Sequence, residues 1–231
     1  MSPILERLRG RLIVSCQAYP GEPLRVPDIM QRMAQAVVAG GAAGLRAQGL
    51  EDIRLIAAST DVPLTGLWKD GEDDVFITPT LAHALAVAEA GADIVALDGT
   101  RRPRPDGRTL AETIAGLREQ HPDVLVMADC GSLGDALAAE DAGADVVGTT
   151  LAGYSGEREK TAGPDVELIG QMVARCRRPV VVEGRVHTPA QARDAIDRGA
   201  FAVVVGTAIT HPTTITSWFH EAVTGRQGTP A

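Results

Sequence analysis

The chain has 231 residues, 45% apolar and 23% charged, with seven aromatic residues and 25 glycines. That balance excludes collagen-like, coiled-coil and disordered chains, and so few aromatics argue against stacking on nucleic-acid bases. The formal charge of −8 argues against binding a phosphate backbone or an anionic membrane, while leaving room for one locally positive pocket.

Three cysteines, Cys16, Cys130 and Cys176, show no CxxC pair, so they read as reduced thiols rather than a disulfide framework or a zinc site. The first ten residues, MSPILERLRG, lack the apolar core of a signal peptide. No run approaches the roughly 20 apolar residues that cross a bilayer. A soluble, cytoplasmic protein is expected.

In chain order, the first predicted strand is Leu12–Cys16 (LIVSC). The phrase AGGAAGLR at 39–46 then ends a helix on glycine and enters a second strand. Pro63–Trp68 (PLTGLW) is the third, and AGADIVALD at 90–98 carries the fourth. Val124–Ala128, AGADVVGT at 142–149, Pro179–Val182 and RGAFAVVVG at 198–206 complete eight. Thr78-Pro79 and Thr188-Pro189 read as helix starts, with Thr as cap and Pro at the first helical position, and Ser132 caps another. Gly41, Gly91, Gly143 and Gly199 recur at spacings of 50, 52 and 56. Each period therefore holds two βα units.

Continuous apolar strands belong in a parallel sheet covered on both faces, either an open doubly wound sheet or a closed barrel. Eight near-equal units favour a single (β/α)8 barrel over residues 1–231, with a loose tail at about 222–231.

Chemistry in such a barrel sits at the carboxyl ends of the strands. Those positions are Gln17, Arg46, Lys69, Asp98, Asp129, Thr149, Glu183 and Gly206. Each alone has a bland reading as a solvated loop charge or half of a structural ion pair. Lys69 and Glu183 end strands three and seven, diametrically opposite in a ring of eight. They suit two-base proton transfer across one carbon, or else a salt bridge over the barrel mouth. The glycine-bearing loops Glu183-Gly184-Arg185 and Gly206-Thr207 follow strands seven and eight, where this fold often holds phosphate. No P-loop or GxGxxG opening is present.

The five histidines have no metal-ligand spacing, so no metal site is expected. His83 reads as a surface or packing residue within a helix, and Glu72, Asp73 and Asp74 as a solvated cluster. Arg101, Arg102, Arg104 and Arg108 form a basic loop that reads as closing over the site, with simple exposure as the alternative. Thr150 and Tyr154, after the sixth strand, are candidate substrate contacts.

With these residues set out, the chain resembles the N-acetylmannosamine-6-phosphate 2-epimerase family. The resemblance runs from about Leu12 to Phe219. It rests on IVSCQA at 13–18, GLRAQG at 44–49, ITPT at 77–80, GADIVALDGT at 91–100, MAD at 127–129, GTTLAGYS at 148–155, VEGRVHTP at 182–189 and VVVGTAIT at 203–210. It implies a TIM barrel of the ribulose-phosphate-binding kind and an isomerase interconverting the 6-phosphates of N-acetylmannosamine and N-acetylglucosamine in sialic acid use. It also implies a homodimer working without metal or redox cofactor. Lys69 and Glu183 match the family's lysine and glutamate, and Gln17, Arg46 and Asp129 its polar substrate contacts. Gly184, Arg185, Gly206 and Thr207 match its phosphate loops. His211 stands where the family usually has arginine beside the phosphate. GLRAQG replaces a commoner RANG ending, and ADCGS a serine–threonine pair.

The implied chemistry removes the C2 hydrogen of the ring-opened sugar to give an enolate. Lys69 is the candidate base, Glu183 the acid on the opposite face, Asp129 an orienting group, and Gln17 and Arg46 holders of the acetamido group and oxyanion. A relay through the substrate's own hydroxyl is an alternative. Another carbon-acid reaction on the same barrel, with a lysine Schiff base, and a non-catalytic phosphosugar binder are the competing functions.

Overall fold

The eight apolar runs pair in sequence order, all parallel, and the last closes on the first. The computed structural model describes residues 2–225. Its strands are β1 (Leu12–Cys16), β2 (Gly44–Gln48), β3 (Leu64–Leu67), β4 (Ile94–Asp98), β5 (Leu125–Asp129), β6 (Val146–Gly148), β7 (Val180–Glu183) and β8 (Ala202–Val205). The expected (β/α)8 barrel is therefore the fold.

Alternation along each strand divides two apolar layers. Ile13, Leu67, Ile94, Ala96, Met127, Val146, Val181, Ala202 and Val204 fill the barrel interior. Val14, Cys16, Leu45, Ala47, Leu64, Val95, Leu97, Val126 and Val147 face the surrounding helices. Ahead of β1, α1 (Pro3–Leu8) contributes Leu5 and Leu8 to the interior cluster, so it closes the amino-terminal end of the barrel. With that end plugged, only the carboxyl end is open to a ligand.

The outer ring comprises α2 (Pro27–Ala39), α3 (Leu50–Ala57), α4 (Leu81–Glu89), α5 (Leu110–Gln120), α6 (Leu133–Asp141), α7 (Val166–Arg175) and α8 (Pro189–Asp197). After β8 come a single turn, α9 (Thr207–Thr210), and α10 (Pro212–Thr224). The repeated glycines follow helix ends: Gly41, Gly91, Gly143 and Gly199 have φ of 103°, 105°, 102° and 97°. Only glycine adopts that backbone without strain, so the fifty-residue repeat is a repeat of helix terminations.

Ser132 caps α6 as expected, and Thr188 forms a full capping box with Gln191. Thr78-Pro79 does not start a helix. The cap of α4 is Thr80, whose hydroxyl accepts from His83 N, while Thr78 is buried at φ 45°. The ITPT phrase offers two threonines, and the first is held by the chain that leads back from Lys69. The expected loose tail begins inside α10, which runs through Thr224 before Gly225 adopts a left-handed cap. Residues 226–231 lie outside the described residues.

Candidate active site

At the open end, a cavity of about 840 Å³ is lined by residues of β1, β2, β7 and β8 and of the loops after β1, β3, β6, β7 and β8. Arg46, Asp129 and Glu183 point inward because each is an even number of residues from an interior position on its strand. Arg46 is 1% exposed, and its guanidinium grips Asp129 at two points, 3.1 Å to Oδ1 and 2.6 Å to Oδ2. Its Nη1 also lies 3.1 Å from Glu183 Oε2. Burial works against the Arg46 charge, but Asp129 and Glu183 hold its proton more firmly than an ordinary arginine's. Thr150 Oγ1 donates to Asp129 Oδ1 at 2.7 Å and lies 3.4 Å from Glu183 Oε2. One cation is thus shared by two carboxylates, and the second carboxylate shows the effect. Burial, reinforced by Asp129, pushes Glu183 up to about 7, with Arg46, Lys69 and Thr150 opposing.

Lys69 stands across the barrel from Glu183, as the strand count predicts, but it is not on a strand. β3 stops at Leu67, and the chain loops through the exposed Glu72, Asp73 and Asp74 before Ile77 pairs antiparallel with Lys69. The Lys69 ammonium donates to Gln17 Oε1 at 2.9 Å, and Gln17 Nε2 donates to Ser15 Oγ at 2.9 Å. Among the described residues no ion pair joins Lys69 to Glu183, so the salt bridge over the mouth does not form. Burial pulls the Lys69 ammonium below the usual lysine range, and Arg46 adds to the shift against Glu183 and Asp129.

The glycine loops meet the other side of the cavity. Gly184 and Arg185 carry φ of 107° and 57°, and Gly206 caps α9, with Thr207 and His211 also lining the space. The Arg185 guanidinium donates to Gly163 O, Ala152 O and Thr161 Oγ1, so it ties the loop after β6 to the loop after β7. His211 is 6% exposed; its Nδ1 lies 2.8 Å from Thr214 Oγ1, and its Nε2 2.7 Å from Glu22 Oε2. Tyr154 lines the cavity half exposed, with the Lys160 ammonium 4.8 Å above its ring.

Three expectations need correction. Asp98 is fully buried and bonded to Thr100 and Arg102, away from the cavity. Thr149 exchanges hydrogen bonds with the Glu183 backbone, fixing that residue from behind. The basic loop does not cover the site. Arg101 pairs with Asp135 and Glu157, Arg102 with Asp98, and Arg104 turns inward onto two carbonyls. Asp129, the candidate orienting group, is held by Arg46 and Thr150 and makes no hydrogen bond to Lys69 among the described residues. His83 is a packing residue as expected, set against Trp68 with ring centroids 4.4 Å apart.

Sequence reasoning passed over Tyr19, Lys160, His187 and Trp218, which also line the cavity. One signal was available for Lys160. The chain has only two lysines, Lys69 and Lys160, among 22 basic residues, and both face the cavity. His187 and Trp218 meet only through the tertiary packing of α10, with ring centroids 4.9 Å apart. Among the described residues no group of three or more His, Cys, Asp or Glu is arranged to hold a metal. No helix among them is long and apolar enough to cross a membrane.

Comparison with known proteins joins this geometry to a family. The family described as "Putative N-acetylmannosamine-6-phosphate epimerase" matches residues 30–225. A relative from Cutibacterium acnes, named "Putative N-acetylmannosamine-6-phosphate 2-epimerase", is 60% identical over 95% of this chain and 96% of its own. One of the same name from Caldanaerobacter subterraneus subsp. tengcongensis is 44% identical over 94% of this chain and 92% of its own. Among solved structures, the N-acetylmannosamine-6-phosphate 2-epimerase from Clostridium perfringens superposes with a TM-score of 0.91 at 39% identity, covering 96% of both chains. A thiamine phosphate pyrophosphorylase from Pyrococcus furiosus, at TM-score 0.60 and 20% identity, shares the fold alone. The chain belongs to the N-acetylmannosamine-6-phosphate epimerase family.

Proposed function

We propose that this chain interconverts N-acetylmannosamine 6-phosphate and N-acetylglucosamine 6-phosphate by moving a proton at C2 of the ring-opened sugar. The observation that carries the reading is the pair Lys69 and Glu183, held on opposite sides of one cavity with their proton affinities shifted toward each other. A base must be free of its proton and an acid must keep one near neutrality, and both shifts run in that direction.

In one direction the Lys69 amine takes the C2 hydrogen as a proton. The C–H electron pair becomes the C1–C2 double bond of an enolate, and the negative charge moves to the C1 oxygen. Arg46, held by Asp129, supports that charge. The Glu183 carboxyl then returns a proton to C2 from the other face, and solvent exchange resets both groups. Gln17 and Thr150 hold polar groups of the sugar, and Tyr154 closes the rim. Backbone amides at Gly184, Arg185, Gly206 and Thr207, with His211, receive the phosphate.

A second reading has one specific observation in its favour. Glu183 is already engaged by Arg46 at 3.1 Å, whereas among the described residues the Lys69 ammonium donates a hydrogen bond only to a neutral amide, that of Gln17. In that reading Lys69 alone handles the C2 proton and a substrate hydroxyl relays it.

The reading extends to the whole chain, residues 1–231, acting as one domain in the cytoplasm as a homodimer. The uncovered α10, which has no buried residue and leaves Phe219 70% exposed, supports association. Sedimentation velocity tests it, a monomer being the contrary result. The activity itself is tested by following N-acetylmannosamine 6-phosphate by proton NMR. The gluco epimer should accumulate with the native chain and not with Lys69→Met. Absence of turnover by the native chain contradicts the proposal.

A further inference from the structure

Lys69 owes its place to a return strand rather than to the barrel, and that strand has one buried anchor. Asp70 N donates to Phe76 O at 3.0 Å, and Thr78 N to Trp68 O at 2.8 Å, bracketing the Lys69–Ile77 bridge. Trp68 N donates to Thr78 Oγ1 at 3.1 Å, which uses the side chain of a residue held at φ 45°. The return strand joins the barrel where Asp98 N donates to Ile77 O at 3.0 Å. Across that junction lies Arg104, 5% exposed. Its Nη1 donates to Asp98 O and its Nη2 to Thr78 O, each at 2.8 Å. No carboxylate lies in salt-bridge contact with it among the described residues, because Arg102 takes the nearby Asp98 side chain. A buried guanidinium devoted to two carbonyls is an expensive way to close a loop, but its rigid fork fixes both at once.

We propose that Arg104 is a positioning residue for Lys69, clamping the return strand to the end of β4 so that the ammonium is presented inside the cavity. This rests on the proton-transfer role proposed for Lys69. Arg104 does not line the 840 Å³ cavity and acts through Thr78 and Ile77. The charged groups facing Lys69 are Arg46 from β2, Asp129 from β5, Glu183 from β7 and Arg25 from the loop after β1. Loosening the strand lets water reach the ammonium, and relief of burial, the largest influence on it, favours its charged form, while the repulsion of Arg46 and the attraction of Glu183 and Asp129 weaken together.

The test uses the full chain carrying 13Cε-labelled lysine. Two lysines give two resonances, and a Lys160→Arg variant assigns them. In Arg104→Gln, whose single amide nitrogen cannot span both carbonyls and which adds no labelled lysine, the Lys69 resonance should titrate about half a pH unit higher, and kcat at neutral pH should fall about threefold with KM nearly unchanged. Thr78→Ala, which frees Trp68 N but leaves Arg104 in place, should move the same resonance in the same direction. A merely structural role would lower the folded fraction and leave the Lys69 midpoint where it was. An unchanged midpoint in either folded variant overturns the proposal, as does failure of both variants to fold. A resonance that moves while the kinetic profile stays put would instead count against Lys69 as the proton-transfer group.

Discussion

Replacing Asp129 by Asn removes one charge from the Arg46 cluster while keeping its shape. Thr150 Oγ1 touches both carboxylates, at 2.7 Å and 3.4 Å, so the oxygens of Asp129 and Glu183 lie within about 6 Å of each other. At an effective dielectric of about 20, two charges at about 6 Å repel by about 3 kcal/mol, equivalent to about two pH units. Without Asp129 that repulsion ends, and Arg46 has Glu183 as its only anionic partner. Glu183, held up to about 7 in the native chain, then falls well below neutrality. If its protonated form is required, kcat at pH 7 drops by about tenfold or more, and the alkaline fall of the kcat–pH profile moves to lower pH. The fold should lose about 3 kcal/mol, the lower range for breaking a buried pair, because Asn still offers Arg46 one acceptor. The assay is kcat against pH, paired with urea unfolding to show that the variant is folded. A folded Asp129→Asn enzyme with the native alkaline limb would refute the idea that Asp129 keeps Glu183 protonated.

Three further outcomes follow from the same structure. Because Glu183 is raised in the folded state from about 4.5 to about 7, its contribution to stability is fully present at low pH and is lost as pH rises through that window. Stability should fall by about 3 kcal/mol between pH 4 and 8, and Glu183→Gln should flatten that part of the Tm–pH curve; an equally steep curve in the variant would show that other groups titrate there. Lys69→Met should lower kcat by at least about 100-fold with native circular dichroism, the usual scale for removing an acid–base group. Gly66→Ala places a Cβ 2.7 Å from Ala92 Cβ and 2.9 Å from Val87 Cγ1, so urea unfolding should show a loss of about 1–3 kcal/mol.

Much of the architecture is legible in local chemistry. The glycines that end helices have to be glycine because φ near 100° admits little else, and their spacing marks the βα units. Period-two alternation also carries the inward direction of Arg46, Asp129 and Glu183, since a strand with one apolar parity inside leaves little choice for the next polar residue. Lys69 falls at the predicted corner for a different reason. Its strand has already ended, and a long-range bridge to Ile77 holds it there. Thr78, the basic loop and Trp218 were not legible, because their roles depend on contacts between distant segments. A group of four arginines looks like a lid until Asp135 and Glu157 are seen to hold Arg101, Asp98 to hold Arg102, and two backbone carbonyls to hold Arg104. Nothing local distinguishes Arg104, which turns inward, from Arg108, which stays half exposed beside Asp106.

The fate of the C2 hydrogen tests the central claim most directly. N-acetylmannosamine 6-phosphate is incubated with the native enzyme in deuterated water, and the gluco product is read by NMR and mass spectrometry at early conversion. Transfer between Lys69 on one face and Glu183 on the other predicts deuterium at C2 in essentially every product molecule. Product that keeps its original hydrogen at C2 would contradict two-face transfer.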